Sequence, residues 1–266
     1  MNDSSALRLN CRYYRRYPTH EPLGYAEEQL VLPVNQTVFL IVDVYGLGFD
    51  EDGTYGNVSE FYRDFVELCR EIVVGHIKPA KVAARNARLP IVYLSNYLAP
   101  STTVQNEWRN MSIRTAGVDV LEAWQEPNEV LVFSKVIAPE AGDYLIKKQH
   151  YSGFFETHLE SLLKELGVRN LVVVGFDSLI CLHATVLDAL YRNYRVIVLR
   201  DCIGTAEFPE TEEKGWANWL AVRFIECNIG YTSTASAFIA ACNQLISKDK
   251  TNQTNKSASM QETGNE

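Results

Sequence analysis

No two cysteines of this chain stand in a Cys-x-x-Cys arrangement; the six (Cys11, Cys69, Cys181, Cys202, Cys227 and Cys242) are scattered along 266 residues. Paired spacing is the signature of thiolate zinc sites and dithiol redox motifs, so neither is indicated. The start of the chain lacks the apolar stretch of a secretory signal, and no run reaches the roughly 20 residues of a membrane span. Free thiols in a reducing compartment follow, with a cytoplasmic location and no membrane partner expected. Basic residues are scarce too: 25 Lys and Arg against 33 Asp and Glu leave a net charge of −8. An acidic chain lacks the basic face that a phosphate backbone requires, which argues against nucleic acid as a partner. The one dense basic run, RYYRR at Arg12–Arg16, reads as part of a solvated arm.

Several catalytic signatures are missing as well. There is no Gly-x-Ser-x-Gly elbow and no His-Gly-Gly motif, which disfavours a serine hydrolase. No Gly-x-Gly-x-x-Gly follows the first strand, which argues against dinucleotide binding. None of His20, His76, His150, His158 and His183 has ligand-like spacing, so neither a metal nor a cofactor is expected.

What the chain does have is apolar sequence. A hydrophobic share of 47% is ample for one large core. Residues 1–35 show no clear period and read as an arm. Thr37–Val42 (TVFLIV) is a continuous apolar run ending in Asp43, as in a strand covered on both faces. A helical pattern over Ser59–Ala87 should bend or break near Pro79. Further strands are expected at Leu89–Ser95, Tyr144–Lys147, Arg169–Val174, Tyr194–Leu199 and Gly230–Thr232, with helices at Phe155–Leu166, Ser178–Tyr191 and Thr211–Glu226 and a last one to Ile246. Residues 247–266 read as a disordered tail, leaving 36–246 as the domain. The alternation predicts a three-layer α-β-α fold, a Rossmann-like open parallel sheet of about six strands with helices on both faces. Ligands of such sheets bind beyond the carboxyl ends of the strands, where Asp43, Lys148 and Cys181 all fall.

The residue types suit acyl transfer. In VVVGFDSLICLHATVLDAL (Val172–Leu190) Gly175 permits a sharp turn, and Cys181 falls in the first turn of a helix. Unpaired N–H groups and the helix dipole favour a thiolate there, and the same N–H groups could hold an oxyanion. A buried structural cysteine is the plain alternative. Asp43 could take the thiol proton and return it to a departing amine, or merely bind a loop amide. A lysine beside it would hold the carboxylate ionised. Strand alternation sends Lys147 and Lys148 to opposite faces, and spacing alone does not choose between them.

The segment KKQHYSGFFETHL, the turn Gly175 to Cys181 followed by Thr185, and Asp201 after the next strand together resemble the central part of isochorismatase-like cysteine hydrolases. The early VDV around Asp43 is similar to that family's aspartate-bearing first strand. The resemblance implies an Asp43, Lys148, Cys181 triad, with Lys148 chosen over Lys147. It also implies a cis peptide between Phe176 and Asp177, with the backbone N–H groups of Asp177 and Cys181 forming the oxyanion hole. Assembly into a homo-oligomer is a further implication. Two departures stand out. Tyr45 occupies a position where members of the family often carry Gln, so the pocket floor should differ. The segment SNYLAPST around Asn96 has no histidine, unlike members that bind metal. Tyr45, Phe49, Trp108, Arg109, Asn110 and Tyr151 are candidates for substrate contact. The expected activity is hydrolysis of a linear amide or ureide, a small-molecule substrate, through a thioester. An isochorismatase-type ether hydrolase and a non-catalytic binding protein are the alternatives.

Overall fold

The computed structural model describes residues 5–46, 59–97, 106–117, 119 and 131–262, of which 59–64, 106 and 249–262 are described as backbone only. Eight strands form one sheet in the order β2-β1-β8-β7-β6-β3-β4-β5. The six parallel members are β3 (Thr37–Val42), β4 (Ile91–Asn96), β5 (Tyr144–Lys148), β6 (Asn170–Gly175), β7 (Arg195–Ile203) and β8 (Tyr231–Ser233). Strands β3, β4 and β6 are buried along their whole length, which explains their unbroken apolar sequences.

Alternate residues of the central strands feed two separate cores. Phe39, Ile41, Tyr93, Val172 and Val174 pack on one face, against α1 (Ser59–Ile72), α2 (Lys78–Asn86) and α7 (Ala235–Glu262). Leu40, Val42, Leu94, Leu171 and Val173 pack on the other, against α4 (Leu159–Glu165), α5 (Cys181–Tyr191) and α6 (Trp216–Asn228). Helix α3 (Asn106–Ala116) lies in the connection from β4 to β5. The fold is the three-layer α/β architecture anticipated.

Two features differ from the sequence reading. Residues 5–35 are more than an arm: β1 (Ala6–Arg15) and β2 (Gly24–Pro33) make an antiparallel hairpin that extends the sheet past β8, so it has eight strands rather than about six. Leu7, Leu9, Cys11, Leu30 and Leu32 point from it into the first core. The tail read as disordered from residue 247 continues α7 as helix to Glu262. The bend or break expected near Pro79 takes the form of a π-helical segment at Val73–Ile77, immediately before α2, which carries Pro79 in its first turn.

Strand order reverses between β3 and β6. A crevice forms at such a switch point, outside the carboxyl ends of the strands. Gly175 closes β6 there with φ 114°, and a Cβ at that position would lie 2.0 Å from the Val42 carbonyl oxygen. Only glycine lets the two strands approach so closely beside Asp43.

Candidate active site

Asp43 is the first residue after β3, and its backbone turns into the left-handed region with φ 49°. A non-glycine residue there is uncommon and costs energy, a pattern concentrated at functional positions. Lys148 ends β5, the outermost strand on this side. Lys147 is exposed with its ammonium over the Tyr97 ring, whereas Lys148 is wholly buried. Its Nζ reaches inward to Asp43 Oδ2 at 2.7 Å, donates to Asn96 Oδ1, and donates to the His150 carbonyl at 3.2 Å. Cys181 opens α5 and is buried, within hydrogen-bonding reach of Asp43. Three side chains that stand far apart in the sequence thus share one buried spot at the switch point.

Two further residues complete the cluster. Asn96, the last residue of β4, accepts from Lys148 through Oδ1, while its Nδ2 donates to Asp43 Oδ2 at 3.4 Å and lies 4.0 Å from Cys181 Sγ. Sequence reasoning passed over Asn96 except to note the missing histidine around it; the signal available was its place at a strand end beside Asp43. Tyr45, named as a substrate contact, is buried instead in the cluster. Its hydroxyl donates to Asp43 Oδ1 at 2.8 Å and accepts the Asn96 backbone N–H at 2.7 Å.

Charges in this spot set the protonation states. Burial works against the Lys148 ammonium, but the Asp43 carboxylate, Cys181 and their hydrogen bonds outweigh it, and its pKa is raised. Burial pushes the Cys181 thiol up, the Asp43 charge adds to this, and Lys148 only partly offsets them. Burial and the adjacent carboxylate thus favour the neutral thiol, against the thiolate that the helix dipole and the lysine would favour. Burial also raises Tyr45 well above the ordinary phenol range, so it stays a neutral donor.

The loop before α5 is held by its own bonds. The Phe176–Asp177 peptide is cis. The Asp177 carboxylate accepts from the Leu179 N–H at 2.7 Å and from Thr205 Oγ1 at 2.8 Å, and its carbonyl accepts from Leu182 N–H at 3.1 Å. Thr185 Oγ1 donates to the Cys181 carbonyl at 2.7 Å and accepts from Gly153 N–H at 3.0 Å, tying α5 to the Tyr151–Phe154 turn. Asp201 lies away from this cluster, its carboxylate capping α7 through the Ala235 N–H at 2.8 Å.

The remaining candidates scatter. Trp108 Nε1 donates to the Tyr151 hydroxyl at 2.9 Å, and their rings meet edge to face. Tyr151 lies close enough to Cys181 to interact with it electrostatically, and its pKa is raised, chiefly by burial. Arg109 is engaged by Asp119 at 2.9 Å, and exposed Asn110 donates to Glu107 on the same helix. Phe49 lies outside the described residues. Among the described residues no group of three or more His, Cys, Asp and Glu side chains could hold a metal ion, and no helix is long and apolar enough to cross a membrane.

Known proteins give this arrangement a context. The chain is 29% identical over 233 residues to the ureidoacrylate amidohydrolase RutB of Stutzerimonas stutzeri, spanning 83% of this chain and 89% of that one. It is 32% identical over 225 residues to the ureidoacrylate amidohydrolase RutB of Enterobacter sp., spanning 80% and 92%. In fold it is similar to a cysteine hydrolase from Pseudomonas syringae pv. phaseolicola, with TM-score 0.65 and 20% identity over 80% of this chain and 95% of that one. An N-carbamoylsarcosine amidase from Thermoplasma acidophilum aligns with TM-score 0.55 and 24% identity over 75% and 96%. The model of the isochorismatase domain matches residues 64–228, and the chain belongs to the isochorismatase family of hydrolases.

Proposed function

We propose that the protein is a cysteine-dependent amidohydrolase that cuts a carbon–nitrogen bond of a linear amide or ureide through a thioester. The observation that carries this reading is the burial of Asp43, Lys148 and Cys181 in mutual contact at the switch point. The names of the RutB relatives favour a ureide, a flat group with a polarised carbonyl and a nitrogen leaving group.

The chemistry follows from the protonation states. Cys181 attacks the carbonyl carbon as its proton passes to Asp43, so sulfur need not be charged beforehand. The carbonyl oxygen gains charge and is met by the N–H groups of Cys181, in the first turn of α5, and of Asp177. Asp43 then delivers its proton to the leaving nitrogen, the carbon–nitrogen bond breaks, and ammonia or an amine departs. Water adds to the thioester, giving a proton to Asp43, and collapse returns that proton to sulfur and frees the acid. Lys148 keeps its charge throughout and balances the carboxylate. Trp108 and Tyr151 supply an aromatic wall beside the sulfur.

Ammonia release from a panel of ureides, N-carbamoyl compounds and simple amides tests the proposal, with Cys181→Ala as control. Turnover by the parent, its loss in the variant and an acyl adduct on Cys181 in quenched samples are expected. Turnover that survives Cys181→Ala would overturn the covalent route.

A further inference from the structure

Tyr45 stands where a substrate-contacting side chain was expected, yet its hydroxyl is engaged within the cluster. Among the described residues it has two partners: Asp43 Oδ1 at 2.8 Å and the backbone N–H of Asn96 at 2.7 Å. Because the phenol oxygen accepts from Asn96, its single proton is directed to the carboxylate. The other carboxylate oxygen, Oδ2, is taken by Lys148 at 2.7 Å and Asn96 Nδ2 at 3.4 Å. The Tyr45 ring is held from behind by Phe133, with centroids 6.5 Å apart, and its backbone bridges the same residue. Phe133 in turn meets Tyr93 edge to face.

We infer that Tyr45 is a positioning residue for the proposed reaction: it fixes the rotation of the Asp43 carboxylate and couples that rotation to the end of β4, holding the carboxylate in the orientation in which it exchanges a proton with Cys181. The inference rests on the reading of Asp43 as the proton carrier. A carboxylate at a strand end can turn about its last bond, and Lys148 and Asn96 bind the same oxygen, so they restrain that turn weakly. A donor on the opposite oxygen locks it. The charged or titratable side chains facing Asp43 are Lys148 from β5, Cys181 from α5 and Tyr45 itself, with Tyr151 beyond the sulfur. Loss of the hydroxyl leaves that set of charges intact and removes the lock together with the acceptor of the Asn96 backbone N–H. Small misplacements of a reacting group can cost a rate factor on the order of 100.

The test uses two readouts on the full chain. One is the rate at which iodoacetamide alkylates Cys181, followed by peptide mapping at fixed pH; it needs no substrate. The other is kcat and KM on whichever panel compound is turned over. Tyr45→Phe should slow alkylation and lower kcat by about tenfold or more, with KM within about twofold, and should lower the thermal midpoint because the buried Asn96 N–H loses its acceptor. Tyr45→Gln, whose amide offers both a donor and an acceptor, should recover a large part of both. Unchanged or faster alkylation in Tyr45→Phe, a change carried by KM alone, or Tyr45→Gln no better than Tyr45→Phe would overturn the inference and leave Tyr45 as packing for Phe133. Absence of turnover on every compound would count against the amidohydrolase reading instead, while the alkylation rates would still decide the role of Tyr45.

Discussion

At the scale of single residues the site is an exercise in charge balance. One buried ammonium and one buried carboxylate meet at 2.7 Å, and an uncharged amide and phenol take the remaining lone pairs and donors. Breaking such a pair from one side is costly because the survivor stays buried and uncompensated. Lys148→Met keeps the apolar stem and removes the charge. It should cut kcat by at least about 100-fold and destabilise the fold by roughly 3 kcal/mol, read from turnover and urea unfolding. Unchanged unfolding would mean that Asp43 does not depend on this lysine. The positions of Asp43 and Cys181 were legible because each sits at the end of a strongly patterned element, whereas Lys148 was separated from Lys147 only by the family resemblance. Asn96 and Tyr45 were not legible. Their roles depend on which oxygen of Asp43 each one reaches, and that is decided by pairing between β3 and β4, a contact that no local pattern encodes.

At the scale of elements, legibility followed burial. The run TVFLIV marks β3 to the residue, and the other parallel strands are found to within two residues at their starts; for β3, β4 and β6 the reason is double-sided burial, which demands unbroken apolar sequence. The hairpin escaped notice although its signal is present: Leu7, Leu9 and Cys11 alternate with Arg8, Asn10 and Arg12 at period 2. Charged and aromatic residues on its outer face and the prolines between its strands masked that alternation. It is pinned by Arg12, which pairs with Glu226 at 2.7 Å, and by Ser233 Oγ donating to the Asn10 carbonyl at 2.8 Å. Among the connections, the turn from β6 to α5 is the least forgiving. Gly175→Ala would drive a methyl group into the Val42 carbonyl at a backbone angle that alanine avoids. Separation of β3 from β6 is the only relief, so the variant should lose well over 2 kcal/mol of stability and most of its turnover together. A variant as stable as its parent would show that the two strands can part without consequence.

The whole molecule carries an unusual load of protected thiols. Cys11, Cys69, Cys181, Cys202 and Cys242 are all buried, and burial raises every one; Cys11 and Cys242 are each pushed up to about 12. In the unfolded chain these thiols ionise near pH ~8.5, so above that value the unfolded state binds fewer protons than the folded one. Stability is then fully present below that pH and declines as pH rises. Each thiol contributes roughly 1.4 kcal/mol of the decline per pH unit. The urea midpoint, measured with a reductant present, should therefore fall between about pH 7.5 and 9.5, and a midpoint that rises would contradict the assigned burial. Sequence composition could not reveal this, since six scattered cysteines look the same whether they line a core or a surface.

One consequence follows from where the buried ammonium originates. Lys148 belongs to β5, a strand of five residues that, among the described strands, pairs only with β4 and forms one margin of the sheet. Marginal strands fray at a free energy below that of global unfolding. Each such opening would withdraw the cation from its carboxylate while leaving α5, with the proposed nucleophile, and the central strands standing. Catalytic competence is accordingly the more fragile property, and in a denaturant series activity should disappear before the circular dichroism does.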